Sequence, residues 1–288
     1  MRDGASPAYV GRHDAAFPAT LAAIFDPPPG LYLRGSAPVE LLDRPAVAIV
    51  GARACSAYGR TVARSLARDV AAAGLLVISG LARGVDAEAH RGALDAGAPT
   101  VAVLGCGIDR DYPAANRELA ARIAADGLIV SEYGPAVEPA AWRFPARNRI
   151  IAGLTAATVV VEARERSGAL ITADFALEEG REVLAVPGEI TSSLSAGTNA
   201  LLRVGATPLT RSDDLLEVFG LLVPKRELPA VEGEAATVLE RLRAGPAGAD
   251  ELIRETGLGA GALGGALIEL ELAGHVTEEA GIYRATSP

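Results

Sequence analysis

Val47-Ala48-Ile49-Val50-Gly51-Ala52-Arg53 is a short apolar run that stops on a glycine and an arginine, and Ser56, Tyr58 and Gly59 follow before a helix-length segment opens near Arg60. Successive apolar residues without polar alternation describe a strand covered on both faces. The same kind of run recurs downstream at Leu75 to Ser79, Thr100 to Leu104, Leu128 to Ser131, Thr158 to Val161 and Val183 to Val186, with helix-length stretches between. Such alternation, from Pro45 to about Phe219, predicts a Rossmann-like α/β domain. Its sheet should be parallel, with helices on both faces and any ligand at the carboxyl ends of the strands.

Outside that span the pattern changes. Residues 1–44 read as an irregular, extended N-terminal segment, because Pro27-Pro28-Pro29 forbids a helix there. The α/β domain is expected at 45–221 and a linker with Pro224 and Pro229 at 222–233. Residues 234–288 then read as three helices (Ala235 to Arg243, Ala249 to Glu255, Ala260 to Ala273) and a ribbon (Val276 to Tyr283), the pattern of a small winged-helix-like domain.

Composition narrows the function. With 50% hydrophobic and 22% charged residues among 288, the chain can bury a substantial core and is not a disordered polymer. No apolar run approaches the roughly 20 residues of a membrane span, and Met1 to Gly11 lacks a signal-peptide core, so a cytoplasmic protein without membrane contact is expected. Cys55 and Cys106 have no Cys or His at ligand spacing, which argues against a zinc site and a disulfide framework and reads as two small buried hydrophobes. A net charge of −9 argues against a general nucleic-acid coat. The acid is unevenly spread, however: Pro229 onward carries ten Asp and Glu against four Arg, so a site for a polyanion belongs upstream.

The strand-end loops are the place to look. The first combines glycine, which lets backbone approach a ligand, with Arg53, a fork suited to phosphate, and a helix start whose N–H groups favour an anion. Gly-x-Gly-x-x-Gly is absent and the second strand ends in Ser79, not an acid, which argues against a dinucleotide enzyme. Ser79-Gly80-Leu81-Ala82-Arg83-Gly84-Val85-Asp86 repeats the combination of glycine and arginine, whereas Asp109 and Asp111 make the third loop, Gly105 to Pro113, a shaper of the rim. Ser167-Gly168-Ala169-Leu170-Ile171-Thr172 can cap a helix or hold an oxyanion.

One stretch stands out in an acidic chain: Trp142-Arg143-Phe144-Pro145-Ala146-Arg147-Asn148-Arg149 has three arginines, two aromatics and no acid. Guanidinium groups that track a backbone, beside rings on which bases stack, are what single-strand binding asks for. The competing reading makes the rings core packing and pairs the arginines with acids such as Glu132 and Glu162. His90, on a helix among Ala87, Glu88, Ala89 and Arg91, lacks a catalytic partner and reads as a structural hydrogen bonder, and His13 and His275 have no constellation. No nucleophile–base or paired-carboxylate arrangement emerges, and no cofactor is expected. Helix 260–273 of the C-terminal unit has glutamates and no Lys or Arg, which suits a protein contact better than DNA.

Five ordered blocks resemble the DNA-processing protein A family (DprA, also called Smf), across roughly Phe17 to Thr210 and more loosely to the end. They are Ile49 to Arg53, Ser79 to Asp86 with Ala89-His90, Phe144 to Ile151, Ser167 to Thr172, and Val186-Pro187-Gly188. The resemblance implies an extended Rossmann fold that dimerises, binds single-stranded DNA without sequence preference, helps load the RecA recombinase in natural transformation, and catalyses nothing. It carries the family's DNA pocket over to Gly51, Arg53, Ser79, Gly80, Arg83, Phe144, Arg147, Asn148, Ser167 and Gly168, and the arginine-rich block adds Arg149. Ala52 departs from the serine common there, and the N-terminal segment is too short for the helical SAM-like domain many members carry. Two alternatives stay open. One is a phosphoribohydrolase of the lysine-decarboxylase-like type, although Phe175 stands where its signature needs a carboxylate. The other is an interaction scaffold whose working part is the acidic C-terminal unit.

Overall fold

Each apolar run finds cover on both faces. The computed structural model describes residues 8–221 and 231–286, and the chain divides into two units, 1–222 and 223–288. In the first, β1 (Ala8–Gly11), α1 (Ala19–Ala22) and β2 (Gly30–Gly35) precede the alternating array. That array runs β3 (Ala46–Val50), α2 (Ala57–Ala72), β4 (Leu76–Ser79), α3 (Val85–Asp95), β5 (Thr100–Leu104), α4 (Arg117–Asp126), β6 (Leu128–Ser131), α5 (Arg143–Gly153) and β7 (Ala157–Val160). It continues with α6 (Gly168–Glu178), β8 (Glu182–Ala185), α7 (Ala196–Arg203), the two-residue β9 (Thr207–Pro208) and α8 (Ser212–Val218).

The nine strands form one sheet in the order β1-β2-β6-β5-β4-β3-β7-β8-β9, parallel from β6 to β9. Side chains alternate across it as the period of a strand dictates. Val47 and Ile49 of β3 pack with α2, α3 and α8, whereas Ala48 and Val50 pack with α5 and α6. Ala102 and Leu104 of β5 face α4. β4 and β7 flank β3 on opposite sides, and the loops after β3 and β7 lead to helices on opposite faces. The crevice where open α/β sheets usually hold a ligand therefore lies between these two loops.

The N-terminal segment corrects the expectation of irregular chain and a border at residue 45. β2 hydrogen-bonds antiparallel to β6, with Leu33 opposite Val130, and β1 pairs with β2. Leu21, Ile24 and Leu31 are buried in the same core as β3. The three prolines end before Gly30, so they lead into β2 without interrupting it, and β1 forms that edge of the sheet.

In the second unit, α9 (Gly233–Ala244), β10 (Ala247–Gly248), α10 (Ala249–Thr256), α11 (Ala260–Leu272), β11 (Val276–Glu279) and β12 (Ile282–Ala285) follow in winged-helix order. The strands pair β10-β12-β11. Val238, Leu239, Leu252, Leu263, Leu267 and Leu270 fill its own core. Most of the expected linker, 222–230, lies outside the described residues.

Candidate functional site

The crevice between the loops after β3 and β7 is already occupied by protein. Glu162, just past β7, is 5% exposed; its Oε2 accepts the Ser56 N–H at 2.9 Å and its Oε1 the Ser56 hydroxyl at 2.5 Å. Its carbonyl accepts the Ala52 N–H at 2.7 Å. Ser56 in turn caps α2, accepting the Gly59 N–H at 3.0 Å. A side-chain carboxylate thus sits at the helix start where a Rossmann enzyme would place pyrophosphate, which spends that anion site internally. Glu162 hydrogen-bonds to this loop, whereas the competing sequence reading paired it with an arginine of the 142–149 stretch.

The loop after β4 is held from two sides. Asp86, at the start of α3, accepts the Gly80 N–H at 3.1 Å, and Asn116 donates Nδ2 to the carbonyls of Leu81 (2.9 Å) and Ala82 (3.1 Å). Ser79 donates its hydroxyl to the Ile49 carbonyl at 2.7 Å and is fully buried. From the opposite face Arg147 of α5 enters, 5% exposed, donating Nη1 to the carbonyls of Gly80 (2.9 Å) and Val103. Burial pushes the Arg147 guanidinium down to about 10, with Asp86 acting against that shift, so it stays charged at neutral pH. Burial raises Asp86, with Arg147 the first opposing influence. For both groups desolvation outruns mutual attraction, as expected for charges withdrawn from water. Next to it, Asn148 donates Nδ2 to the Gly168 carbonyl at 3.0 Å, tying α5 to the start of α6, where Ser167 caps through the Ala169 N–H at 3.3 Å.

The expectation that Arg147 and Arg149 lie open to a phosphate backbone is therefore corrected. Arg147 is interior. Arg149 is spent on Glu132 (2.6 Å) and Asp26 (3.0 Å), fastening the N-terminal segment to α5, which bears out the Glu132 half of the competing reading. What remains open is the margin above β3, β4 and β5. Arg53 and Arg83 are exposed, and neither forms an ion pair with a described residue. The Arg53 guanidinium lies 5.5 Å from the centroid of the half-buried Phe144 ring, and Tyr112 stacks on the same ring at 5.2 Å. Gly51, two residues before Arg53, lies against Val85 and the Glu162 carbonyl. Asp109 and Asp111 of the third loop shape the rim: the first accepts the Ala136 N–H at 3.0 Å and the second pairs with Arg34 at 2.9 Å.

His90 is buried and hydrogen-bonded through Nδ1 to the Thr100 hydroxyl at 2.8 Å. Thr100 donates to the Val77 carbonyl, so the proton shared with His90 sits on Nδ1. Desolvation pushes His90 down to about 3, with Arg147 and Arg91 adding to the effect. Both cysteines are buried, and no group of three metal-ligating side chains occurs among the described residues. Sequence reasoning missed Asn116, Tyr112 and the anchoring by Glu162. An asparagine 35 residues from the loop it holds leaves no local signal.

Comparisons with known proteins identify the family. Residues 8–220 match the model of the family described as DNA recombination-mediator protein A, and residues 223–281 that of the DprA winged helix domain. The chain is 45% identical to DNA processing protein DprA of Streptococcus pneumoniae over 206 residues, 72% of each chain. It is 49% identical to a putative DprA of Mycobacterium tuberculosis over 190 residues, 66% of this chain and 49% of that one. Among solved structures, the S. pneumoniae protein aligns with a TM-score of 0.70 at 43% identity, covering 73% of this chain and 74% of that one. A Helicobacter pylori DNA processing protein A, whose structure concerns its single-stranded DNA binding mode, aligns with a TM-score of 0.66 at 31% identity, covering 73% and 95%. With both of its units matched in order, the chain belongs to the DNA recombination-mediator protein A family.

Proposed function

We propose that this chain binds single-stranded DNA along the open margin above β3, β4 and β5 and acts as a cytoplasmic recombination mediator that passes the strand to a RecA-type recombinase. One observation carries the reading: Arg53, exposed and without an ion pair among the described residues, projects over Phe144, and Arg83, on the loop after the neighbouring strand β4, is a second such cation. Unneutralised guanidinium next to an aromatic face supplies the two kinds of interaction that a sequence-tolerant strand needs. Gly51, Arg53, Arg83 and Phe144 touch DNA in this reading; Ser79, Gly80, Arg147, Asn148, Arg149, Ser167 and Gly168 form the frame that holds them in place. The solved H. pylori relative supports it.

No catalysis is proposed. A phosphoribohydrolase needs an open anion site and a carboxylate in the α6 register; the first is filled by Glu162, and Phe175 packs on the core at the second. The second unit is assigned to protein binding, because α11 carries no cation and exposes Ile268 and Leu272. A homodimer would present two margins to one strand and raise avidity. Fluorescence anisotropy with labelled oligo-dT tests the reading. Binding should weaken with salt and drop on Arg53→Glu, and equal affinity of the variant would refute the site.

A further inference from the structure

Phe144, in the first turn of α5, is half-buried, stacked on Tyr112 and with the Arg53 guanidinium above it, so it offers a base only the part of its ring that these two leave open. Two positions earlier in the chain the situation reverses. Trp142, at the N-cap of α5, is 63% exposed, the most exposed ring of the 133–144 stretch. It meets Tyr133 edge to face at 6.5 Å. The Arg143 guanidinium lies 4.9 Å from the Trp142 centroid and 5.1 Å from that of Tyr133.

Arg143 has no carboxylate partner among the described residues: its Nη1 donates to the Glu138 carbonyl, while the Glu138 carboxylate is taken by Arg110 at 2.7 Å, and its Nε is buried without a partner. A cation gripped by two rings stays in place without being neutralised. The result is an indole in contact with one ring and one guanidinium, largely open to solvent and with a positive charge beside it.

We propose that Trp142, Tyr133 and Arg143 form a second nucleotide subsite, in which a base of the bound strand stacks on the indole and the adjoining phosphate is drawn to Arg143. This rests on the single-strand reading above and extends it. The strand leaves Arg53 and Phe144 and runs along the start of α5 to Trp142. A base supplies a flat π face of the right size, and stacking of this kind is indifferent to sequence.

Trp142 is the chain's single tryptophan, so its emission reports this subsite alone. Labelled oligo-dT is titrated into the full chain while anisotropy and tryptophan emission are read together. Emission should fall in step with binding, and an oligonucleotide abasic at all positions should bind more weakly and leave emission unchanged. Trp142→Ala should lose roughly 5- to 150-fold in affinity, the range of one stacked base, and Trp142→Phe should recover most of it. Anisotropy that rises normally with unquenched emission and an unaffected Trp142→Ala variant would overturn the subsite, leaving the ring to a protein partner while strand binding stands. No rise in anisotropy at all would overturn both readings.

Discussion

The Nη1 of Arg147 lies 2.9 Å from the carbonyl oxygen of Gly80, and a Cβ placed on Gly80 would lie 2.5 Å from Nη2 of the same side chain and 2.7 Å from the Asp86 carboxylate. Two sequence blocks 67 residues apart, one rich in glycine and one in arginine, are thus halves of a single buried latch. Gly80 is required for space and not for a left-handed backbone, since its φ is not positive. Gly80→Ala should therefore overpack the latch and cost about 1–3 kcal/mol. Calorimetry should show Tm lowered by several degrees, and an unchanged Tm would mean that Arg147 has another place to go.

The split between frame and rim gives opposite signatures for two arginines. Arg147→Met leaves Asp86 buried beside unpaired carbonyls and should destabilise the first unit by about 3–5 kcal/mol. Arg53→Ala touches nothing buried and should leave stability within about 0.5 kcal/mol of the parent. In oligo-dT binding the exposed residue should dominate, with the slope of log affinity against log salt reduced by about 0.7 for each phosphate that its charge neutralises. Parallel denaturation and anisotropy series on both variants check this; an Arg53→Ala protein that melts early would put that side chain in the frame as well.

Glu162 offers a third check, because it ties the start of α2 to the end of β7. Glu162→Gln keeps an acceptor for Ser56 but removes the charge from the helix start. The expected loss is about 1–3 kcal/mol, the range of charge-assisted hydrogen bonds. Chemical denaturation measures it. If the neutral variant is as stable as the parent, the carboxylate is not what closes the crevice.

Much of this was legible in the chain. The six buried strands follow from uninterrupted apolar runs, and the expected limits of β5 and β6 coincide with the observed ones. The antiparallel strand β2 was not legible, because Gly30 to Gly35 shows no period strong enough to compete with the three prolines before it. The arginine block announced a functional region but not which of its members face water. Helical geometry decides that: Arg147 and Asn148 fall on the buried side of α5, whereas Trp142 stands at its exposed start. Arg149 is diverted by Asp26, a partner 123 residues away that no local pattern reveals.

His90 supplies a prediction that depends on pH. In the folded chain its imidazole is held near 3 by burial, whereas in the unfolded chain it titrates near the ordinary value of about 6.5. The folded pKa is the lower one, so between these values the unfolded state binds the extra proton. The stability that His90 contributes is present above about 6.5 and is lost as pH falls toward about 3. Between pH 7 and pH 5 this linkage amounts to about 2 kcal/mol. His90→Gln keeps an amide donor for Thr100 and removes the titration, so its stability should fall less over the same interval by about that amount. Urea titrations followed by Trp142 emission, which reports the first unit, measure the difference. Equal losses in the parent and the variant would show that His90 takes up its proton without unfolding.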